Sequence, residues 1–335
     1  MKLISTLIFT MLLISCAAPK VAIYNIQPPP VKAMADVKTI AIVSDADDER
    51  HSDVLSKLEA SLSSVVFDHK AHFNLVDRGM IDRIIEEQKL SNSDLSSSAT
   101  RAKLGRLVGA DTVISARSIV SYPESQSFYE SRSKCVDKKC KESKKIKVRC
   151  SKREANVQLI PKIINVEKGN ILYSKTYTSK QVSKTCMDQD STEHTSNFDL
   201  MNSGIDDTLT QFKLDIAPRR VRTNVSLMEA SDDKLLSESH VKLLETANEF
   251  AEKGNMSKAC QIFAKVQSQN SSSIVTNYNN GVCAENNGDL ETAIAFYTNA
   301  ENNSIDVDLV TKATNSIKRV KEAQRAQEEM KKYRN

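Results

Sequence analysis

Residues 73–90, FNLVDRGMIDRIIEEQKL, and residues 99–119, ATRAKLGRLVGADTVISARSI, decide the fold class of this 335-residue chain. Phe73 to Arg78 predicts a strand. Met80, Ile81, Ile84 and Ile85 recur at helical spacing and predict the apolar face of a helix. Ser96 to Ser98 can cap a further helix, with Leu104, Leu107 and Val108 facing inward and Gly109 ending it. Thr112 to Val120 predicts the next strand. Upstream, Val37 to Val43 is a β-branched run, and residues 51–67 carry Val54, Leu55, Leu58, Leu62 and Val65 as a helical stripe. Strands alternating with helices predict a layered α/β domain: a mixed, partly parallel sheet with flanking helices.

The same stretch resembles the CsgG/HfaB family of bacterial envelope lipoproteins, to which the cell-wall synthase activator LpoB is related. The family pattern is a strand, an acidic residue before Arg, a helix ending in Glu-Gln-x-Leu, then Lys-Leu-Gly-x-x-x-Gly-Ala-Asp before a strand. Asp77, Arg78, Glu87, Gln88, Leu90, Lys103, Leu104, Gly105, Gly109, Ala110 and Asp111 match it. The resemblance covers roughly residues 37–217 and implies the family's α/β scaffold. It leaves function open, because pore-formers and enzyme activators share that scaffold. Read as residues, the motif is structural: Gly109 stops a helix, Asp111 starts a strand, and Asp77 with Arg78 forms a surface pair.

Pore-forming members build a barrel from two lipid-facing hairpins, which need alternating apolar residues. At the first such position this chain reads PESQSFYESRSKCVDKKCKESKKIKVRCSKR, residues 123–153. Eleven basic residues stand between Arg132 and Arg153, among them Lys138, Lys139, Lys141, Lys144, Lys145 and Lys147. A lipid-facing Lys or Arg near the midplane costs about 2–4 kcal/mol. The segment therefore predicts an aqueous basic hairpin: either a surface for acidic partners (lipid headgroups, peptidoglycan carboxylates, an acidic protein) or a solvated extension. The second position, about 187–197, is short and polar.

Val157 to Val166 and Ile171 to Thr178 predict strands around Glu167-Lys168-Gly169-Asn170, with Gly169 at the left-handed position of a three-residue loop. That loop pairs residue 166 with 170, so partner numbers sum to 336. Cys150 and Cys186 share the sum and fall opposite each other, within disulfide reach. Cys135 and Cys140 can close a small loop at the hairpin tip. A zinc site from these four cysteines is the alternative.

At the N-terminus, Lys2 precedes an apolar run from Leu3 to Leu13, too short to span a bilayer. Residues 1–15 read as a signal peptide, and Ser15-Cys16 resembles the bacterial lipobox. The resemblance implies cleavage before Cys16, acylation of its thiol and amine, and, with Ala17 rather than Asp next, the outer membrane. Removing Cys16 from the seven cysteines leaves six, an even number suited to an oxidising compartment. Residues 16–36, with Pro28-Pro29-Pro30, predict a lipidated tether.

Residues 218–235 predict a linker. Beyond it, residues 236–335 repeat at 34 residues: Gly254 and Gly288, Ala259 and Ala293, Phe263 and Tyr297, Ala247 and Gly281. This spacing is similar to the tetratricopeptide (TPR) pattern and predicts an all-α TPR-like stack with a capping helix after about Val307. First helices of such pairs line a concave groove. Here they carry Glu245, Asn248, Glu249 and Glu252, then Asn277, Asn280 and Asn287, which suits a basic or extended polar peptide. The alternative is that the stack only covers the first domain. Cys260 and Cys283 fall on adjacent helices, either bridged or simply buried.

Mean hydropathy is −0.40, net charge +4, aromatic content 5% with no Trp. Such a composition does not mark a nucleic-acid binder or a sugar-stacking surface. No nucleotide loop, nucleophile elbow or zinc-protease motif occurs; no cofactor or metal is expected. His69 and His72 read as a surface pair, and Asp45 to Glu49 lacks the glycine and terminal acid of an EF-hand. The leading expectation is a non-enzymatic outer-membrane lipoprotein, facing the periplasm and docking envelope proteins. An activator of a periplasmic cell-wall synthase and an oligomeric component of a curli-like secretion apparatus are the alternatives.

Overall fold

The computed structural model describes residues 19–44, 49–67, 69–95, 97–188 and 193–332. The signal peptide and Cys16 lie outside these described residues. The chain forms two units. One is Pro28–Arg219; the other joins the segment up to Gln27 to the chain from Arg220 onward. An α/β domain with a mixed sheet is followed by an all-α stack, as the periodicity predicts.

In chain order, β1 (Lys20–Gln27) belongs to the helical unit. The α/β unit then runs β2 (Thr39–Ser44), α1 (Glu49–Ser63), β3 (Val66–Phe67), β4 (Lys70–Ala71), β5 (Asn74–Leu75), α2 (Arg78–Glu87), α3 (Asn92–Leu95) and α4 (Ser98–Leu107). It continues with β6 (Thr112–Val120), β7 (Ser125–Cys135), β8 (Ser143–Asn165), β9 (Ile171–Ser174), β10 (Tyr177–Cys186) and α5 (Asn197–Ile216). The main sheet has the order β10-β8-β6-β2-β5, with β7 and β9 also paired to β8. β2 is parallel to β5 and β6, and β8 is antiparallel to all its neighbours.

Ala41, Val43, Val113 and Val166 on one sheet face meet Ile81, Leu95, Leu104 and Val108 from α2, α3 and α4. α1 and α5 pack together on the other face. A Cβ at Gly204 of α5 would stand 2.5 Å from Val157 Cγ2, so only glycine admits this close approach. Leu107 does not face inward; it is 46% exposed. At 100° per residue it falls outside the arc of Arg101, Ala102, Leu104 and Gly105 that buries α4.

The helical unit comprises β11 (Arg219–Ser226), α6 (Glu238–Glu252), α7 (Met256–Gln269), α8 (Ile274–Asn286), α9 (Leu290–Asn302) and α10 (Val307–Lys332). Successive helices pack on one another. Ala247, Ala259, Phe263, Ala293 and Tyr297 are fully buried. Gly281 takes Ala247's place in the repeat where the Tyr297 ring closes to 2.7 Å of a built Cβ.

Two expectations need correction here. Residues 20–27 are not part of a tether and residues 219–226 are not a linker; they are the paired strands β1 and β11. Val21, Ile23, Val225, Leu227 and Met228 are buried in one core with Leu244, Tyr278 and Val282 of the helices. Alternation of apolar and polar residues gives each strand one face to bury, and the helices supply the cover.

Candidate functional site

Two places in the chain concentrate chemistry, and the first is the basic hairpin. β7 pairs β8 from Ser125 with Arg153 to Cys135 with Ser143, leaving Val136 to Glu142 as the tip. Beyond Cys150, β8 also pairs β10, and their partner numbers sum to 336 throughout, ending with Cys186 opposite Cys150. The turn itself differs from the expected one. Ile164 pairs with Ile171, one residue short of that sum, and a bulge then restores it at Ile163 and Tyr173. Gly169 has φ +69°.

All six described cysteines are in disulfides. Cys150–Cys186 joins β8 to β10 with Cα atoms 4.0 Å apart; Cys135–Cys140 spans the tip; Cys260–Cys283 joins α7 to α8. Glu130, Cys150 and Cys186 cluster closely enough to suggest metal ligands. Their sulfurs are bonded to each other, so no thiolate is present to bind one.

The hairpin's two faces differ in charge. Below the tip pair Lys134 and Lys144, the face of the even-numbered β8 residues sets its cations against carboxylates. Val148, Cys150 and Cys186 are buried there, with Phe128 and Ile146 packed against them. Arg132 donates to Asp188 at 2.8 Å and to Glu130 at 3.1 Å, and Lys184 also pairs with Glu130. Hydrogen bonds from Lys184 and then Arg132 hold the Glu130 carboxyl below its ordinary range. Nearer the base, Lys180 and Lys152 donate to Glu154 at 2.6 and 2.9 Å and pull its pKa down to about 2.

The odd-numbered face carries no such compensation. Near the base it is covered by α5. Beyond His194 it opens, and Lys145, Lys147 and Arg149 stand in a row opposite Ser133, Ser131 and Tyr129, all exposed. Among the described residues none of these three cations has an ion pair. At the foot of the row lies a cavity of about 290 Å³ lined by Ser127, Arg149, Ser151, Thr185, Met187 and His194. His194 meets Ser183 at Nδ1 (3.2 Å) and Ser151 and Thr185 at Nε2 (2.8 and 3.2 Å). Lys138, Lys139, Lys141 and Lys144 are exposed at and beside the tip. Periodicity could locate the basic residues. It could not show which face they share, because β8 buries even positions at Val148 and Cys150 but odd ones from Ala155 onward.

The second place is the helical groove, which the chain fills itself. Asn279 accepts from Met228 N at 2.9 Å and donates to Met228 O at 3.0 Å. Asn248 donates to the same oxygen at 3.3 Å. Lys312 of α10 donates to Leu227 O at 2.9 Å. Three of the residues expected to meet a partner are therefore buried instead. Asn248 holds the chain's own backbone; Asn277 bonds the carbonyls of Ser271 and Ser273; Asn280 bonds that of Thr276. Glu245, Glu249, Glu252 and Asn287 remain exposed. Asn279, which does most of the gripping, was overlooked between its two amide neighbours. Glu285, also buried, accepts two bonds from Arg319 (2.9 and 2.7 Å) and one from Tyr297 (2.8 Å).

The motif residues of the α/β unit are structural. Asp77 caps α2 by accepting from Met80 N at 3.0 Å. Asp111 accepts from the backbone N–H groups of Lys38 and Thr39 at 3.0 and 2.8 Å, fixing the start of β2.

A mixed sheet between two helical layers, with one strand pair drawn out into a disulfide-bearing hairpin, defines the class of domain. Residues 47–189 match the family model described as "Curli production assembly/transport component CsgG". The match falls wholly within the α/β unit. Among solved structures the chain is similar to lipoprotein GNA1162 from Neisseria meningitidis (11% identity, covering 52% of this chain and 97% of that one, TM-score 0.24). It is similar to the LpoB C-terminal domain from Salmonella enterica (14%, 45% and 96%, TM-score 0.21). It is also similar to hypothetical protein CT253 from Chlamydia trachomatis (10%, 43% and 73%, TM-score 0.19). No curated protein matches the sequence.

Proposed function

We propose that this protein is a non-enzymatic lipoprotein of the bacterial outer membrane, anchored through Cys16 and facing the periplasm, where it docks envelope proteins. The observation that carries the reading is the CsgG domain at residues 47–189 joined to a helical stack that repeats at 34 residues in TPR-like fashion. No described helix is long and apolar enough to cross a membrane, so attachment falls to the lipid. Acyl chains contribute about 0.8 kcal/mol per buried methylene, and two or more hold firmly. Only Ala17, Ala18 and Pro19 separate Cys16 from β1, so the first residue of β1, Lys20, can lie no more than about 14 Å from the anchor. Its filled groove redirects partner docking to the exposed stripe of Glu245, Glu249 and Glu252, which favours a basic partner.

Replacing Cys16→Ser should release the protein from membranes washed in high salt, which screens electrostatic contacts and leaves acyl anchoring intact, and a photocrosslinker at Glu249 should capture an envelope protein. Attachment of Cys16→Ser that survives the high-salt wash, or wild type without acyl mass, overturns the anchor. An unchanged partner yield after Glu245→Lys/Glu249→Lys/Glu252→Lys overturns the docking stripe. A role in curli-like assembly or transport is the second reading, favoured by the family description; an oligomeric ring by mass photometry would support it.

A further inference from the structure

The open face of the basic hairpin has the chemistry of a surface for anionic phospholipid headgroups, a second membrane contact independent of the Cys16 lipid. We propose that Lys145, Lys147 and Arg149 lie against the lipid phosphates, and that the cavity at their foot receives one of them.

Charge placement is the first argument. Nature of the strand alone would scatter the basic residues over both faces. Below the tip pair Lys134 and Lys144, the even face sets its cations against Glu130, Asp188 and Glu154, whereas over the same stretch the odd face leaves three in a row with only hydroxyls and Tyr129 across from them. Residues two apart on one strand sit about 7 Å apart, a spacing that lets each cation meet a separate headgroup. The cavity adds a directed site. Arg149 offers a planar fork suited to phosphate oxygens, and the Ser127, Ser151 and Thr185 hydroxyls line the same wall.

The composition of the face decides between a bilayer and a protein. Protein interfaces have apolar centres depleted of charge. This face is the reverse: its centre is cationic and its remainder serine and Tyr129. Its exposed apolar groups are those that suit a headgroup layer. Tyr129 is 68% exposed in the middle of the row, Met187 is 72% exposed at the cavity, and Val136 is 57% exposed at the tip. Tyr rings favour the headgroup level.

The test uses the full chain carrying Cys16→Ser, so that no acyl chain contributes and failure of the anchor reading does not affect the outcome. The protein has no Trp, so Tyr129→Trp creates a single reporter on the face. Its emission should shift to the blue on vesicles of phosphatidylglycerol and phosphatidylethanolamine, not on phosphatidylcholine alone, and the shift should fade with added salt. Lys145→Glu/Lys147→Glu/Arg149→Glu should weaken vesicle binding by about a hundredfold or more, taking roughly 1 kcal/mol per basic residue at the surface. Lys253→Glu/Lys258→Glu/Lys265→Glu in the helical unit changes net charge equally and should weaken it far less. Equal loss in both variants would show that net charge alone acts, and would overturn the proposal. So would equal binding to both vesicle types, or binding of polyglutamate or inorganic phosphate without binding of vesicles. Native disulfide mapping of each variant checks that the hairpin is intact.

Discussion

Asn279→Ala tests the self-filled groove most directly. Asn279 and Met228 are both fully buried, so no water replaces the lost amide. Among the described residues, the substitution removes the one side-chain partner of the Met228 N–H and one of two side-chain partners of its C=O, since Asn248 still donates to that oxygen. An orphaned buried donor costs about 1–3 kcal/mol, and the lost second bond adds about 0.5–1.5. The expected destabilisation of the helical unit is therefore about 2–4 kcal/mol. Asn248→Ala should cost only about 1 kcal/mol, because Asn279 still serves the carbonyl. The double variant should exceed the sum of the two by about 1 kcal/mol or more, because only then is the carbonyl orphaned. Hydrogen exchange by mass spectrometry, read on peptides from α6, α8 and β11, measures this within the helical unit alone. Protection there should fall at least tenfold, with about 1.4 kcal/mol per decade, while β2 and β6 are unchanged. A fall of less than about twofold, or strictly additive singles, would refute the claim that these amides hold the strand.

Three further outcomes follow from contacts already described. Arg319→Met strands the fully buried Glu285 carboxylate and should cost the helical unit about 3–5 kcal/mol in urea unfolding, much of it regained by adding Glu285→Gln. Cys150→Ala/Cys186→Ala opens a loop of sequence separation 36 and should lower α/β-unit stability by about 3–4 kcal/mol on the chain-entropy model; a loss under about 1 kcal/mol would refute it. Glu154 has a folded pKa lowered from 4.5 to about 2 by Lys180 and Lys152, so its contribution is complete above pH 4.5 and is lost as pH falls through about 2. The stability difference between wild type and Glu154→Gln should shrink across that window, and a difference that stays constant would contradict the pairing.

Much of the fold was legible because it rests on local periodicity. The stripe Val54, Leu55, Leu58, Leu62 and Val65 is buried throughout, and the 34-residue repeat places α7 and α9 in equivalent positions. The hairpin arithmetic reached Cys150 opposite Cys186 through two errors that cancel: the turn closes one residue early, and the bulge restores the count. β1 and β11 were missed for a different reason. Each is short, polar on one face and flanked by prolines or charges, and their partner strand lies about 190 residues away in sequence, beyond any local signal. The groove residues were misassigned because amides at helical spacing look alike whether they meet a guest or the chain's own backbone. Only the course of Leu227 and Met228 distinguishes the two.

The pairing of β1 with β11 makes the whole α/β unit an insertion: the chain leaves the helical unit through one strand and re-enters through its neighbour. During synthesis, β1 is made before its partners and finds nothing to pack on until β11 and the helices have followed. The inserted domain has all its own strands by then and can complete itself while its host is still unfinished. The order of maturation would thus be inverted relative to the order of arrival, with β1 among the last strands to become ordered. A quality-control protease would meet that exposed strand in every nascent copy, and its burial would report that synthesis and assembly of the carboxyl-terminal helices are complete.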